Sequence, residues 1–338
     1  MMILLPQIVR LVRGVLPALA LLVLAPCCKR IPLYDPRSDV YLKLDIRLAS
    51  EAGLSADIDF DANPDLLEKI RGRLPGSVRV CFYDCVTHEL AAEDYLPAEG
   101  GFVNVPAGSY DLMVYSLGSE STRVSETGSR AGAYAYTGGS GSKVRTRAGD
   151  GGEAGTEYPV IYEPDHLFAG CIPGVVIPVH ADIDRTIVLE CEMTTILETY
   201  TFEVKFVEGA GRIREADVYI TGQAPGKYLW DRRFPAKACA ICFRSRIDAE
   251  KGHLFSVFNT FGKLPGLRSD VYLNVLATSQ DGARYQWTFD VTDQFDNPDN
   301  TGHEIIIEEQ IFIPEGGTGG FMPTVGDWNT EIFEVPLS

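Results

Sequence analysis

The sequence predicts an all-β protein: two tandem β-sandwich domains behind an exported, lipid-attached N-terminus. Three observations carry this. Short segments of alternating hydrophobicity recur along most of the chain, and clusters of Gly, Pro, Asp and Asn separate them. Strands punctuated in this way build sandwiches. Only Pro64–Arg71 reads as a helix, with Asn63 placed to cap it and Pro64 at its first position.

The elements follow in chain order. Residues 1–26 read as a signal peptide: Arg10 and Arg13 precede an apolar run from Gly14 to Ala25. That run is too short to cross a bilayer, which takes roughly 20 residues as a helix. Leu24-Ala25-Pro26-Cys27 is similar to a bacterial lipobox, so Cys27 is the expected acylation site and Cys28 the fallback. Pro26 stands where Gly, Ala or Ser is usual, and Lys29-Arg30 follow the cysteines. The orientation of the anchored protein therefore stays open, cell surface or periplasmic face.

What remains of the 338 residues is enough for two domains of about 150 residues. Hydrophobic residues at 45% can fill their cores. The formal charge is −17, and removing the two signal arginines takes it to about −19. Such acidity argues against nucleic acid and against electrostatic adhesion to anionic lipid, both of which need basic surface. An acyl anchor needs none.

Val40, Leu42, Leu44, Ile46 and Leu48 alternate with Tyr41, Lys43, Asp45 and Arg47, a half-buried strand. Similar runs are expected at 77–83, 102–105, 110–116, 185–191, 200–207, 217–221, 254–261, 271–278, 284–291 and 304–313. Ser119–Thr156 is rich in Gly, Ser, Thr and Ala. It buries too little apolar surface to offset its ordering entropy, so a long mobile loop is expected there. The domain boundary is placed near Met193-Thr194-Thr195, giving domains 27–193 and 194–338.

A faint internal repeat links the halves. Phe102–Tyr110 and Phe261–Gly266 each run from strand through a Pro-Gly turn towards the next strand. Each should form a hairpin-like connection. The first, F-x-x-x-P-x-G-x-Y, resembles the signature of transthyretin-like sandwiches.

Further motifs extend the resemblance along the mature chain. They are Leu33-Tyr34-Asp35 near the anchor, Val105–Asp111, Pro164-Asp165-His166-Leu167-Phe168, Thr199-Tyr200-Thr201, Phe289–Gln294, Gly320–Pro323 and Asp327-Trp328. In this order they look like the fimbrillin-related lipoproteins of Bacteroidetes. The resemblance implies tandem transthyretin-like domains, lipid anchoring at the outer membrane and a role as a fimbrial anchor or accessory subunit. It also implies assembly with fimbrial subunits by strand addition, in which another chain satisfies an unpaired sheet edge. In fimbrial relatives a trypsin-like cut after a basic residue exposes that edge. Arg123, Arg130, Arg145 and Arg147 lie in the expected loop, where any solvated loop would also carry such residues.

The remaining constellations point away from enzymatic chemistry. Cys239-Ala240-Ile241-Cys242 is a lone C-x-x-C in strand-like surroundings, read as core thiols or a structural disulfide. Six cysteines beyond the processing site permit disulfides without requiring them. Asp290, Asp293, Asp296, Asn297, Asp299 and Asn300 crowd one segment, but Phe295 and Pro298 occupy positions where a calcium loop needs a ligand and a Gly. His166 and His180 have no nucleophile elbow to serve, and structural roles are expected. No cofactor and no metal are implied. The alternative is a surface glycan-binding lipoprotein, with Trp230, Trp287, Trp328, Tyr134, Tyr136 and Tyr228 as the candidate platform.

Overall fold

In β1 (Arg37–Arg47), Val40 and Leu42 are fully buried while Lys43 and Asp45 face solvent, as the alternation demands. The computed structural model describes residues 37–48, 58–146, 156–178, 186–266, 271–300, 302–315 and 330–334. Helix α1 spans Pro64–Arg71 and buries Leu66 and Ile70. Asn63 stands at its N-cap position without capping it. Its Oδ1 instead accepts a hydrogen bond from Arg246 Nη1 at 2.7 Å.

The next strands are β2 (Ser77–Asp84), β3 (Leu90–Pro97), β4 (Gly100–Pro106) and β5 (Gly108–Ser116). Then come β6 (Arg123–Ser125), β7 (Tyr134–Tyr136), β8 (Gly139–Thr146), β9 (Glu157–Tyr162), β10 (Phe168–Ile177) and β11 (Ile187–Thr195). A seven-stranded sheet runs β3-β2-β5-β10-β11-β1-β4, with β1 and β11 parallel. All seven strands send side chains into one core, including Val40, Phe82, Val103, Leu112, Phe168 and Met193. A single core shared along the whole order means that the sheet folds back on itself as two layers.

The second half holds β12 (Glu198–Val204), β13 (Val207–Glu208), β14 (Ile213–Gln223), β15 (Gly226–Tyr228), β16 (Cys239–Asp248) and β17 (His253–Thr260). It continues with β18 (Tyr272–Ser279), β19 (Arg284–Asp290), helix α2 (Thr292–Asp296), β20 (Glu304–Ile307), β21 (Ile311–Phe312) and β22 (Thr330–Glu334). Its main order is β19-β18-β14-β16-β17-β12-β20. Phe202, Val218, Ile241, Phe258, Val275 and Trp287 share its core.

The stretch expected as a loop, Ser119–Thr156, is a correction. It contains β6, β7 and β8. Strand β8 pairs antiparallel with β9, and β9 pairs parallel with β16 of the second sheet. Strands β6 and β7 join β15 in a three-stranded sheet. These strands bury Ala135 and Val144, and the residue before β7 is the buried Ala133, rather than large aliphatics. Small residues let a sheet approach a neighbour closely, and backbone pairing supplies what side-chain bulk does not. The chain passes from the first sheet to the second at Ile196-Leu197. Yet β8, β9 and α1 all attach across that point, α1 packing Leu66 and Ile70 on Phe255 and Val257 of β17.

The two Pro-Gly segments are the second correction. Neither is a hairpin: β4 and β5 are not neighbours, nor are β17 and β18. Both segments cross between layers. At the first, Tyr110 Oη donates to the Pro106 carbonyl at 3.0 Å, a corner like those of other sandwiches. Gly108 is required because a Cβ there would stand 2.7 Å from that hydroxyl. At the second, Phe261 is fully buried between the halves, beside Leu167, Leu197 and Leu264.

Candidate functional site: the Glu163–Phe168 joint and its neighbouring clefts

The segment leaving β9 brings three parts of the chain together. Glu163 Oε2 pairs with Lys69 Nζ of α1 at 2.7 Å, and its Oε1 accepts the backbone N–H of Asn259 in β17 at 2.8 Å. Burial pushes the Glu163 carboxyl up, against the pull of Lys69. Asp165 accepts from the backbone N–H groups of Glu120, Ser121 and Thr122 and from the Ser121 hydroxyl. Burial opposes its charge, but the Thr122 and Glu120 N–H groups outweigh it and hold the carboxyl below its usual range.

His166 is locked at both nitrogens. Nε2 is 2.8 Å from the Lys69 carbonyl, which can only accept, so Nε2 carries the proton. Nδ1 then accepts from the Thr195 hydroxyl at 2.8 Å. Burial lowers the imidazole pKa and keeps the ring neutral. Gly72, at φ +74°, ends α1 against this ring, and a Cβ there would lie 2.9 Å from it. Leu167 then enters the core between the halves, and Phe168 enters the core of the first sandwich. The expected structural role of His166 is what this geometry performs. His180 lies outside the described residues.

Two clefts flank Ser116–Ser119. The larger, about 540 Å³, runs beside α1 and is lined by Asp65, Glu68, Lys69, Arg73 and Asp165 among others. The smaller, about 280 Å³, lies between Tyr95 and Arg123.

The three described candidate cleavage arginines scatter rather than share a loop. Arg123 sits in β6, and Arg130 pairs with buried Asp111 and lies over the Trp230 ring, 4.6 Å from its centroid. Arg145 lies in β8 with its Nε 3.1 Å from Glu157. Arg147, Cys27 and Cys28 fall outside the described residues. Cys81, Cys85, Cys171, Cys191, Cys239 and Cys242 are free thiols. Cys239 and Cys242 point to opposite faces of β16, into different cores. Burial pushes Cys81, Cys171 and Cys242 up to about 11, which keeps them protonated.

The acidic segment is occupied by its own turns. Asp290 accepts from Thr292 N, Asn297 from Asp299 N and Asn300 from Glu304 N, while Asp296 pairs with Lys263. The described members of the aromatic platform are buried or half-buried, and none is fully exposed. Trp287 is in the core, stacked on Tyr285, and Trp230 is half-buried under Arg130. Tyr134 packs on Tyr136 and Tyr228. Trp328 lies outside the described residues.

Sequence reasoning singled out the Pro164–Phe168 motif but not Glu163, Lys69 or Asn259. Their signal is only three-dimensional, because Lys69 and Asn259 stand 190 residues apart.

Comparison with known proteins places the motif in a wider setting. A family profile described as "Domain of unknown function (DUF5119)" matches residues 55–243. The chain belongs to this family. Over 154 residues it is 28% identical to a protein of Bacteroides ovatus described as "Putative fimbrium anchoring subunit Fim4B". The match covers 46% of this chain and 40% of that protein, so the chain spans about two fifths of its curated relative's length. The crystal structure of a "putative adhesin" from Bacteroides ovatus superposes with a TM-score of 0.59 at 21% identity, covering 87% of this chain and 99% of that one. The two therefore share a fold. The fimbrial anchor protein Mfa2 from Porphyromonas gingivalis superposes with a TM-score of 0.47 at 10% identity, over 79% of this chain and 89% of that one. The kinship with fimbrillin-related Bacteroidetes proteins suggested by the motifs agrees with the curated match.

Proposed function

We propose that this chain is a fimbrial anchor or accessory subunit: a non-enzymatic, lipid-anchored envelope protein that holds fimbrial subunits at the outer membrane. The observation that carries this reading is the 28% identity with a fimbrium anchoring subunit over 154 residues. The shared adhesin fold supports it. So does the export signal read from the sequence, with Cys27, or Cys28, as the expected acylation site. Assembly would proceed by strand addition, with an edge satisfied by a fimbrial subunit. The division into domains 27–193 and 194–338 belongs to the same reading. Cleavage after Arg123, Arg130, Arg145 or Arg147 is not required by it.

Deleting the gene in the source bacterium should leave fibres that shed into the medium. Fibres that remain attached and normal in length would overturn the anchor role. Cys27→Ser should release the protein from membranes. If only Cys28→Ser does so, acylation is at Cys28.

A further inference from the structure

The smaller cleft differs in chemistry from the rest of this molecule. The chain carries 47 acidic residues against 30 lysines and arginines, yet no Asp or Glu lines this cleft. Two arginines do, Arg79 and Arg123. The larger cleft next to it is lined by acids and bases together.

The floor is a row across three strands. Arg79 of β2 stands opposite Tyr95 of β3 on one side and Tyr115 of β5 on the other. Its guanidinium lies 5.9 Å from the Tyr95 ring centroid and 6.0 Å from that of Tyr115. Arg79 is already engaged: Nε donates to Glu93 at 3.0 Å and Nη1 to Tyr115 Oη at 2.9 Å. Tyr115 therefore accepts from Arg79 and keeps its own O–H to donate. Burial pushes that phenol up to about 12, so the proton stays on it at neutral pH. Arg123, which also lines the cleft, is exposed and makes no ion pair among the described residues. Tyr95 is 56% exposed and presents an aromatic surface at the mouth.

Glu93 neutralises Arg79 through Nε and Nη2, so Arg123 is the unpaired positive charge that selects an anion here. A free guanidinium fork matches a carboxylate in two parallel hydrogen bonds. The exposed Tyr95 ring offers an apolar surface to the C–H face of a saturated ring. The volume of about 280 Å³ falls just below the range of drug-sized pockets, so it suits one ring rather than an extended chain. We propose that this cleft binds a carboxylate-bearing sugar residue, with its ring on Tyr95 and its carboxylate held by Arg123 and the Tyr115 hydroxyl. Arg79 shapes the floor and orients Tyr115. The site is independent of fimbrial anchoring and uses none of the aromatic residues that the sequence offered as a platform.

The test is calorimetric titration of the detergent-solubilised full chain with three probes: an oligogalacturonate, the matching neutral galacto-oligosaccharide and a glutamate-rich peptide. The acidic sugar should bind saturably and about tenfold or more tighter than the neutral one, a difference of about 1.4 kcal/mol. Arg123→Gln should weaken it about tenfold, and Arg123→Lys should restore part of the loss. Because Arg123 is exposed, its variants should keep the thermal midpoint of the parent. Tyr95→Ala should weaken both sugars. The proposal is overturned by equal affinity for the neutral sugar, by insensitivity to Arg123→Gln, by preference for the peptide, or by no saturable binding at millimolar probe.

Discussion

Two places in this molecule bury an acid beside an imidazole, and they satisfy them differently. In the Glu163–Phe168 joint, both oxygens of Glu163 and both nitrogens of His166 have partners. On the α1-facing side of β12 and β17, Glu203 and His253 are 1% and 6% exposed, with Nε2 and Oε2 3.3 Å apart. There neither carboxylate oxygen nor Nε2 makes a well-aligned hydrogen bond. Unmet buried groups forfeit most of what a pair can contribute, whereas a saturated network specifies one arrangement. The joint therefore defines how α1, the Glu120–Thr122 turn and β17 meet, while the Glu203–His253 pair is a local liability inside a well-packed sheet.

Substitutions can separate the two. Asp165→Ala should have the largest effect, because it leaves three N–H donors without their acceptor, while the Ser121 hydroxyl keeps the Glu163 carbonyl at 3.0 Å. At ~1–3 kcal/mol for each unsatisfied group, a loss of about 4 kcal/mol is expected in urea denaturation. A loss below about 1 kcal/mol would mean that water replaces Asp165 freely and that the joint is not a network.

His253→Leu should cost about 3 kcal/mol by stranding Glu203. The double change Glu203→Leu/His253→Leu should be close to neutral or stabilising, since a buried pair with poor hydrogen bonding competes badly with apolar packing. If the double variant is as unstable as the single one, the pair contributes more than its geometry indicates.

Gly72→Ala should cost about 2 kcal/mol, through its left-handed backbone and its contact with the His166 ring. Combining it with His166→Ala should remove the steric part, so the two effects should be less than additive. Strict additivity would show that backbone strain alone is responsible.

The smallest effect is pH-linked. Burial lowers the His166 pKa in the folded protein, so its contribution is present above the unfolded value of about 6.5 and is lost as pH falls below it. Asp165, held low, contributes in the same direction but only from about pH 3.9 downwards. Because the raised Glu163 carboxyl works in the opposite direction, the His166 contribution is read as a difference: between pH 7.5 and 5.5, chemical denaturation should show the parent losing more stability, or gaining less, than His166→Asn. An identical change in both would assign the slope to other groups.

Much of the fold was legible because strand alternation is a local signal. The strand at Val40 and the helix at Pro64–Arg71 stand where their patterns put them. The segment Ser119–Thr156 was not legible. Its strands are built from small residues and are stabilised by partners far along the chain, such as β16 for β9 and β15 for β7. The Pro-Gly connections were misread for a related reason. Proline and glycine specify a reversal of direction, but not whether the next strand pairs with the last or joins another layer.

The same division holds for the joint. Pro164-Asp165-His166-Leu167-Phe168 could be recognised as a motif, and a buried role for its histidine could be expected. Its partners could not, because Lys69, Thr195 and Asn259 come from elements that meet only after both sheets form. By itself the sequence determined the all-β class and the periodicity of the long strands, since each depends on neighbours a few residues away. Tertiary structure alone decided that β8 and β9 cross to the second sheet, that Asp165 becomes a hub, and that Tyr95, Tyr115 and Arg123 share an acid-free cleft. Those features depend on contacts between distant residues, which local pattern does not encode.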